Sequence, residues 1–252
     1  MITDRLTWTV VGDPAQRKLT GNPGGGGLSG LLVDLVSWWT LNESSGTRAD
    51  SHGSNDLADN NTVASAAGKQ GNAASFTAAN NEWLSVNSPT GIVTSGDFTV
   101  AGWFYVDTVA WIPVLFNYAQ GSGGLPGEND MAGYVNTGGT VEFWITDGTS
   151  YFTAVGPVVS TGQWHFGVFI HTVATKNIKV SVNNGTFSDA TYTGTIHQGS
   201  TDFKLGKYHN LAPTRIMDGD MDEWAFWTRA LPDDEIALLY NGGNGVSYSD
   251  LS

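Results

Sequence analysis

The chain has 252 residues, 40% of them hydrophobic, 12% aromatic and only 14% charged, with 33 glycines and no cysteine. That is apolar material for one large β-rich domain, and it excludes a disulfide framework and thiol chemistry. The 11 Lys and Arg against 24 Asp and Glu leave a net charge of −13, which excludes a cationic surface for nucleic acid and disfavours anionic membranes.

Residues 1–30 read as an N-terminal arm. A short strand over Leu6–Val11 supplies Leu6, Trp8 and Val10 as expected assembly contacts, and GNPGGGGLSG (21–30) forms a flexible joint. The opening MITDRLTWTVVGDPAQRKL lacks a basic stretch followed by an apolar one, so a secretory leader is not expected. No apolar run is long enough to span a bilayer, so membrane insertion is not expected either.

The body, 31–252, reads as strand after strand. Expected strands are 36–41, 73–76, 83–86, 98–106, 112–118, 132–136, 140–146, 151–155, 164–172, 177–182, 191–196, 202–207 and 219–228. FTVAGWFYV and VEFWIT alternate as half-buried antiparallel strands do. Asn183-Asn184-Gly185 predicts a type I′ hairpin turn. The polar stretch NESSGTRADSHGSND (42–56) reads as a long turn between strands. One helix is expected after Pro232, with Asp233 and Asp234 at its positive end, Ile236, Leu239 and Tyr240 on one face, and Asn241-Gly242-Gly243 as its stop. It is expected to cover an open end of a two-sheet sandwich, with Trp38, Trp103, Trp164 and Trp224 between the sheets.

Seven segments, SWWTLNESSGTRADSHGSNDL (37–57), GKQGNAASF (68–76), DFTVAGWFYV (97–106), GQWHFGVF (162–169), KVSVNNG (179–185), FKLGKY (203–208) and GDMDEWAFWTRALPDDEIALLYNGG (219–243), resemble in order the laminin-G-like branch of the concanavalin A-like lectin/glucanase jelly rolls. The resemblance implies an all-β, two-sheet antiparallel jelly-roll sandwich with one short C-terminal helix, here behind an extended arm.

Asp218, Asp220 and Asp222 sit two apart, on one face of a strand. Some glucanases of this superfold carry acids so spaced, but the family pattern falls on Gly219, Met221, Asp222 and Glu223, and the outer glutamates of the glucanases are missing. No catalytic residues are therefore expected, and no enzyme. The resemblance also implies a structural Ca²⁺ between the early polar turn and the Asp-Glu strand. Its ligands would be Asp50, Asp56 (or Asn55), Asp222 and Glu223, with carbonyls around Ser51 or Gly53. The alternative is that Asp50 bonds its own turn and Asp222 caps a bulge, without metal. The histidines (His52, His165, His171, His197, His209) show no ligand spacing. Trp111, Tyr118, Trp144 and Tyr151 are the expected glycan-stacking residues, with Tyr134 a weaker candidate; packing is the competing use of such rings.

These features lead to the expectation of a non-enzymatic bacteriophage virion protein, a capsid decoration or tail-associated subunit made in the host cytoplasm. Its arm would dock on identical subunits or other virion proteins, and its outward domain would contact host glycans. A secreted, extracellular carbohydrate-binding lectin module is the first alternative, and a glycoside hydrolase of the same superfold the second.

Overall fold

The computed structural model describes residues 27–119, 129–147, 149–196, 201–208 and 215–251. Leu6, Trp8 and Val10, and with them His197 and His209, lie outside these residues.

Two antiparallel sheets face each other. The eight-stranded sheet contains β1 (Leu35–Trp39), β3 (Ala64–Ala67), β4 (Asn72–Phe76), β6 (Phe98–Val106), β11 (Trp164–Thr172), β12 (Asn177–Val182), β13 (Ser188–Thr191) and β15 (Gly219–Trp227). The seven-stranded sheet contains β2 (Ala58–Asn60), β5 (Trp83–Asn87), β7 (Val114–Ala119), β8 (Asn129–Val135), β9 (Thr140–Thr146), β10 (Tyr151–Val158) and β14 (Asp202–Leu205). Their orders are β13-β12-β11-β6-β15-β4-β3, with β1 also on β15, and β10-β9-β8-β7-β14-β5-β2. One α-helix among the described residues, α1 (Asp233–Tyr240), follows the last strand. Among the described residues no helix is long and apolar enough to cross a membrane.

The period-two rule assigns the faces. In β6, Phe98, Val100, Phe104 and Val106 enter the core between the sheets, while Ala101 and Trp103 point outward. Met221, Trp224 and Phe226 do the same from β15, with Ala225 and Trp227 outward. The inter-sheet core is strongly aromatic: Phe116 meets Phe169 edge-on at 4.9 Å, and Trp39 stacks on Phe203 at 5.3 Å.

A second apolar layer lies outside the eight-stranded sheet, where Ile236 and Leu239 of α1 cover Trp38, Trp103, Phe166 and Trp227. This corrects two expectations. The helix lies on a sheet face, not over an open end, because its apolar side matches the outward rings of β1, β6 and β15. Of the four tryptophans expected between the sheets only Trp224 is there; Trp38 and Trp103 belong to the outer layer and Trp164 packs against it, as their strand parity requires.

The expected helix signals act as read. Pro232 is the N-cap, and Asn241 ends the helix in the left-handed region at φ 48°. Asn183 and Asn184 both have φ 55°, as a type I′ turn demands. The last residues of the expected joint do not behave as a linker: Leu28–Leu32 forms a 3₁₀ turn with Leu31 buried, and the indole N–H of Trp227 donates to the Leu31 carbonyl at 2.7 Å. Arg229 fastens the same segment, donating to the carbonyls of Gly30 (3.0 Å) and Val33 (2.8 Å) while it pairs with Glu235 at 2.6 Å.

Candidate functional site

The early polar turn is organised by one carboxylate. Oδ1 of Asp50 accepts the backbone N–H groups of Trp38 (3.0 Å), His52 (3.1 Å) and Gly53 (2.9 Å), and Oδ2 accepts that of Asn55 (3.0 Å). Oδ1 of Asp56 accepts the N–H of Asp50 at 2.9 Å. Asn55 then bridges outward, donating to Ser37 (2.8 Å) and to the Thr90 carbonyl (2.9 Å). Replacing Asp50 by alanine is expected to lower stability by about 2–4 kcal/mol, since four N–H groups lose a charged acceptor; chemical denaturation measures it.

Asp222 and Glu223 lie on β15, the strand that pairs with β1. Along β15 the partner strand changes from β4, paired through Met221, to β1, paired from Trp224 onward. A bulge between Asp222 and Ala225 accommodates the change, with Glu223 at φ 50°. The bulge turns two successive acids toward the outer face, and both are buried. Oδ2 of Asp222 accepts the Gln70 N–H at 2.7 Å, and Oε2 of Glu223 accepts the indole N–H of Trp38. Their other oxygens, Oδ1 and Oε1, have no hydrogen-bond partner. Burial pushes the Asp222 carboxyl up to about 7 against the pull of backbone N–H groups, and burial, with the neighbouring Asp222 adding to it, pushes Glu223 up to about 8.

Trp38 joins the two parts of the expected calcium set, its backbone N–H donating to Asp50 and its indole N–H to Glu223. Among the described residues no three His, Cys, Asp or Glu side chains converge in a metal-binding group. Both oxygens of Asp50 accept backbone N–H groups, the turn-bonding role given as the alternative. Asp218 accepts the Ala78 N–H at 2.9 Å, tying a turn to the entry of β15, and Asp220 is held above the ordinary carboxylate range by burial. Two described histidines are structural: His165 bonds the Ser160 carbonyl (2.9 Å), and His171 the Gly96 carbonyl (2.7 Å) and the Tyr192 hydroxyl (2.9 Å).

The opposite face of the molecule, outside the seven-stranded sheet, carries a different cluster. Ala132, Tyr134, Glu142, Trp144 and Tyr151 alternate outward from β8, β9 and β10. Tyr208, just past β14, folds back over them, its ring 5.9 Å from Trp144. Trp144 is 5% exposed and forms the base of the cluster, while Tyr151, edge-on to it at 5.0 Å, stays 50% exposed. Trp111 is half-buried, and its carbonyl accepts the Ile216 N–H at 3.1 Å. Arg215 is exposed and lies over the Tyr208 ring, 5.0 Å from its centre. The Tyr134 hydroxyl donates to Oε2 of Glu142, and Asn136 donates to Oε1 at 2.5 Å. Burial raises both phenols, Tyr208 to about 12, so both remain neutral donors across the physiological range.

Of the four expected stacking residues, Trp111 is tied to the neighbourhood of this cluster by its backbone bond to Ile216, and two, Trp144 and Tyr151, fall in the cluster itself. Tyr118 does not: it is 2% exposed, in the inter-sheet core against Phe203. Its parity with Phe116 on β7 is the signal for that placement. Glu142 shares the strand parity of Trp144 and joins Tyr134 here, although sequence reasoning left it unused. Tyr208 and Arg215 have no local signal, since they arrive through a bridge between Lys207 and Ile216.

The family profile described as "Concanavalin A-like lectin/glucanases superfamily" matches residues 78–237. Among solved structures, domain 4 of AbnA, a GH43 extracellular arabinanase from Geobacillus stearothermophilus in complex with arabinotriose, is similar at TM-score 0.62 and 17% identity, over 84% of this chain and 98% of that one. The binding domain of Paraclostridial Mosquitocidal Protein 1 is similar at TM-score 0.65 and 13% identity, over 84% of this chain and 53% of the other. A Trypanosoma rangeli sialidase follows at TM-score 0.63 and 11% identity, over 85% of this chain and 34% of the sialidase. The chain therefore spans nearly all of the first, about half of the second and a third of the third, and at these identities the likeness is one of fold. No curated protein matches the chain in sequence.

Proposed function

Because the chain belongs to the concanavalin A-like lectin/glucanase superfamily, we propose that it is a non-catalytic carbohydrate-binding domain whose ligand lies on the outer face of the seven-stranded sheet. The observation that carries this reading is the half-exposed Tyr151 ring set on buried Trp144, with Tyr208 and Arg215 beside it. Aromatic faces offer a flat apolar surface to the C–H faces of a pyranose or furanose ring, and neighbouring donors and acceptors fix its hydroxyls. The similarity in fold to an arabinanase domain solved with arabinotriose supports the same class of ligand.

A binding role is also favoured by where the acids are. Asp222 and Glu223, the acids of the family motif, are buried on the other sheet beneath α1 and the C-terminal segment, away from the cluster. A glycosidase needs its two carboxyls flanking an accessible sugar. The virion-subunit expectation rested on the arm, on no secretory leader being expected and on the lack of cysteine; residues 1–26 of the arm lie outside the described residues, and neither the fold nor the comparisons add to it. The extracellular lectin-like alternative is the reading retained.

Glycan-array screening followed by calorimetry tests the proposal. Tyr151→Ala is expected to weaken the best ligand by about tenfold, the scale of one well-packed aromatic contact, with folding unchanged. Unchanged affinity would move the site elsewhere. Calcium is no part of this reading: adding 5 mM Ca²⁺ or EDTA (about 5 mM, saturating for a typical extracellular site) is expected to leave the thermal midpoint in place. A clear Ca²⁺-dependent rise would restore the metal.

A further inference from the structure

Charge is unevenly placed on this acidic chain. Against a net −13, three described cations, Lys204, Lys207 and Arg215, belong to the one segment that forms and then folds over the seven-stranded sheet. Lys204 is neutralised by Asp202 at 2.8 Å, and Lys207 lies over the Trp83 ring at 3.7 Å. Arg215 is different. It is exposed, and among the described residues no carboxylate stands within ion-pairing distance of it. Glu142, the acid of the cluster, is engaged at both oxygens by Tyr134 and Asn136. The described side-chain partner of Arg215 is Tyr208, and with no carboxylate beside it among the described residues the guanidinium keeps N–H donors for an anion.

The backbone around it is also fixed. The Tyr208 N–H donates to the Arg215 carbonyl at 3.2 Å, and the Ile216 N–H to the Trp111 carbonyl at 3.1 Å. Ile112, next to Trp111, is held at φ 50°, a left-handed conformation that a β-branched residue adopts only under constraint from its surroundings. Arg215 is thus clamped between two anchored segments and stacked on a ring, which lowers the entropy lost when its fork closes on an anion.

Resting on the sugar-binding reading above, we infer that the ligand is an acidic glycan whose carboxylate or sulfate is held by the Arg215 guanidinium while Tyr151 stacks on the sugar ring. Stacking on Tyr208 orients the planar fork, and a planar carboxylate matches it bidentately. Lys207 is a second cation of the same segment, its ammonium held below its usual range by burial, with Lys204 adding to the effect.

Calorimetry on the full chain with three probes separates the possibilities: a neutral xylo-oligosaccharide, an oligogalacturonate and a sulfated heparin oligosaccharide. The oligogalacturonate or the sulfated probe is expected to bind at least about tenfold more tightly than the neutral one, and the better of the two tells carboxylate from sulfate. Arg215→Met should cost about tenfold on the anionic probe and leave neutral binding within about twofold, with Arg215→Lys between them. Equal or tighter binding of the neutral probe, or an equal loss on both probes in Arg215→Met, would overturn the inference while leaving sugar binding intact. Binding to none of the three and to no glycan on an array would overturn sugar binding as well.

Discussion

Gly102→Ala is expected to destabilise the protein by at least about 3 kcal/mol, near the upper end of what overpacking costs. Gly102 lies mid-strand in β6, facing the inter-sheet core, and an added Cβ would meet the Trp224 indole at 2.3 Å from Cδ2 and 2.5 Å from Cγ and Cε2. Neither partner can yield. Trp224 is fully buried, donates its indole N–H to the Trp103 carbonyl at 2.9 Å and packs on Phe116 and Phe169. β6 is held on both flanks, by β11 through Gly102↔Gly167 and by β15. Trp224→Ala alone should cost about 3–5 kcal/mol through the cavity it leaves. In that background Gly102→Ala should become nearly free, giving a coupling of about 2 kcal/mol or more in a double-mutant cycle. Urea midpoints measure all three variants, and additive costs would mean that the two residues do not share this contact.

Stability should fall as pH rises from 5 to 9, because of Asp222 and Glu223. Both carboxyls lie well above their ordinary values in the folded chain, at about 7 and about 8, chiefly because burial disfavours charge. On unfolding they return to the ordinary carboxylate range, so across that interval the folded chain binds more protons than the unfolded one. The contribution of the protonated pair is fully present below the unfolded values and is lost as pH climbs through 7 and 8. Its size is on the order of 2–4 kcal/mol, the two sites being coupled. Asp222→Asn and Glu223→Gln, which fix neutral groups of the same shape, should flatten the profile and stabilise the protein at pH 9. Parallel pH–Tm profiles for parent and variants would sink the idea. The cause lies in the bulge, which aims two successive acids at one buried layer where a regular strand would bury only one.

Much of the fold was legible where side-chain alternation is strong. β6, β9, β11 and β12 begin and end where the pattern places them, since each has a face that only burial explains. The misses have physical reasons. β2 and β3 are short, nearly free of large apolar residues, and sit at sheet edges, so no periodicity marks them. The expected strand 191–196 is instead β13 at Ser188–Thr191, followed by irregular chain that still buries Tyr192 and Ile196. Its apolar alternation was real, but Gly194 at φ 77° breaks the extended run. In the candidate site, Trp144 and Tyr151 could be read from the pattern, whereas Arg215 depends on a long-range bridge and could not. For Asp50 the turn-bonding alternative matches the hydrogen bonds found, while which N–H groups it takes is invisible in side-chain identities.

The docking of Leu28–Leu32 gives the molecule a back and a front. That segment is pinned to the helix-covered side by Trp227 and Arg229, and the C-terminal turn Tyr248–Leu251 packs into the same layer. The aromatic cluster lies on the far side of both sheets. Leu28 and Leu251, at the two ends of the described chain, thus both rest behind the sheets, and the half-exposed Tyr151 ring opens to the other side.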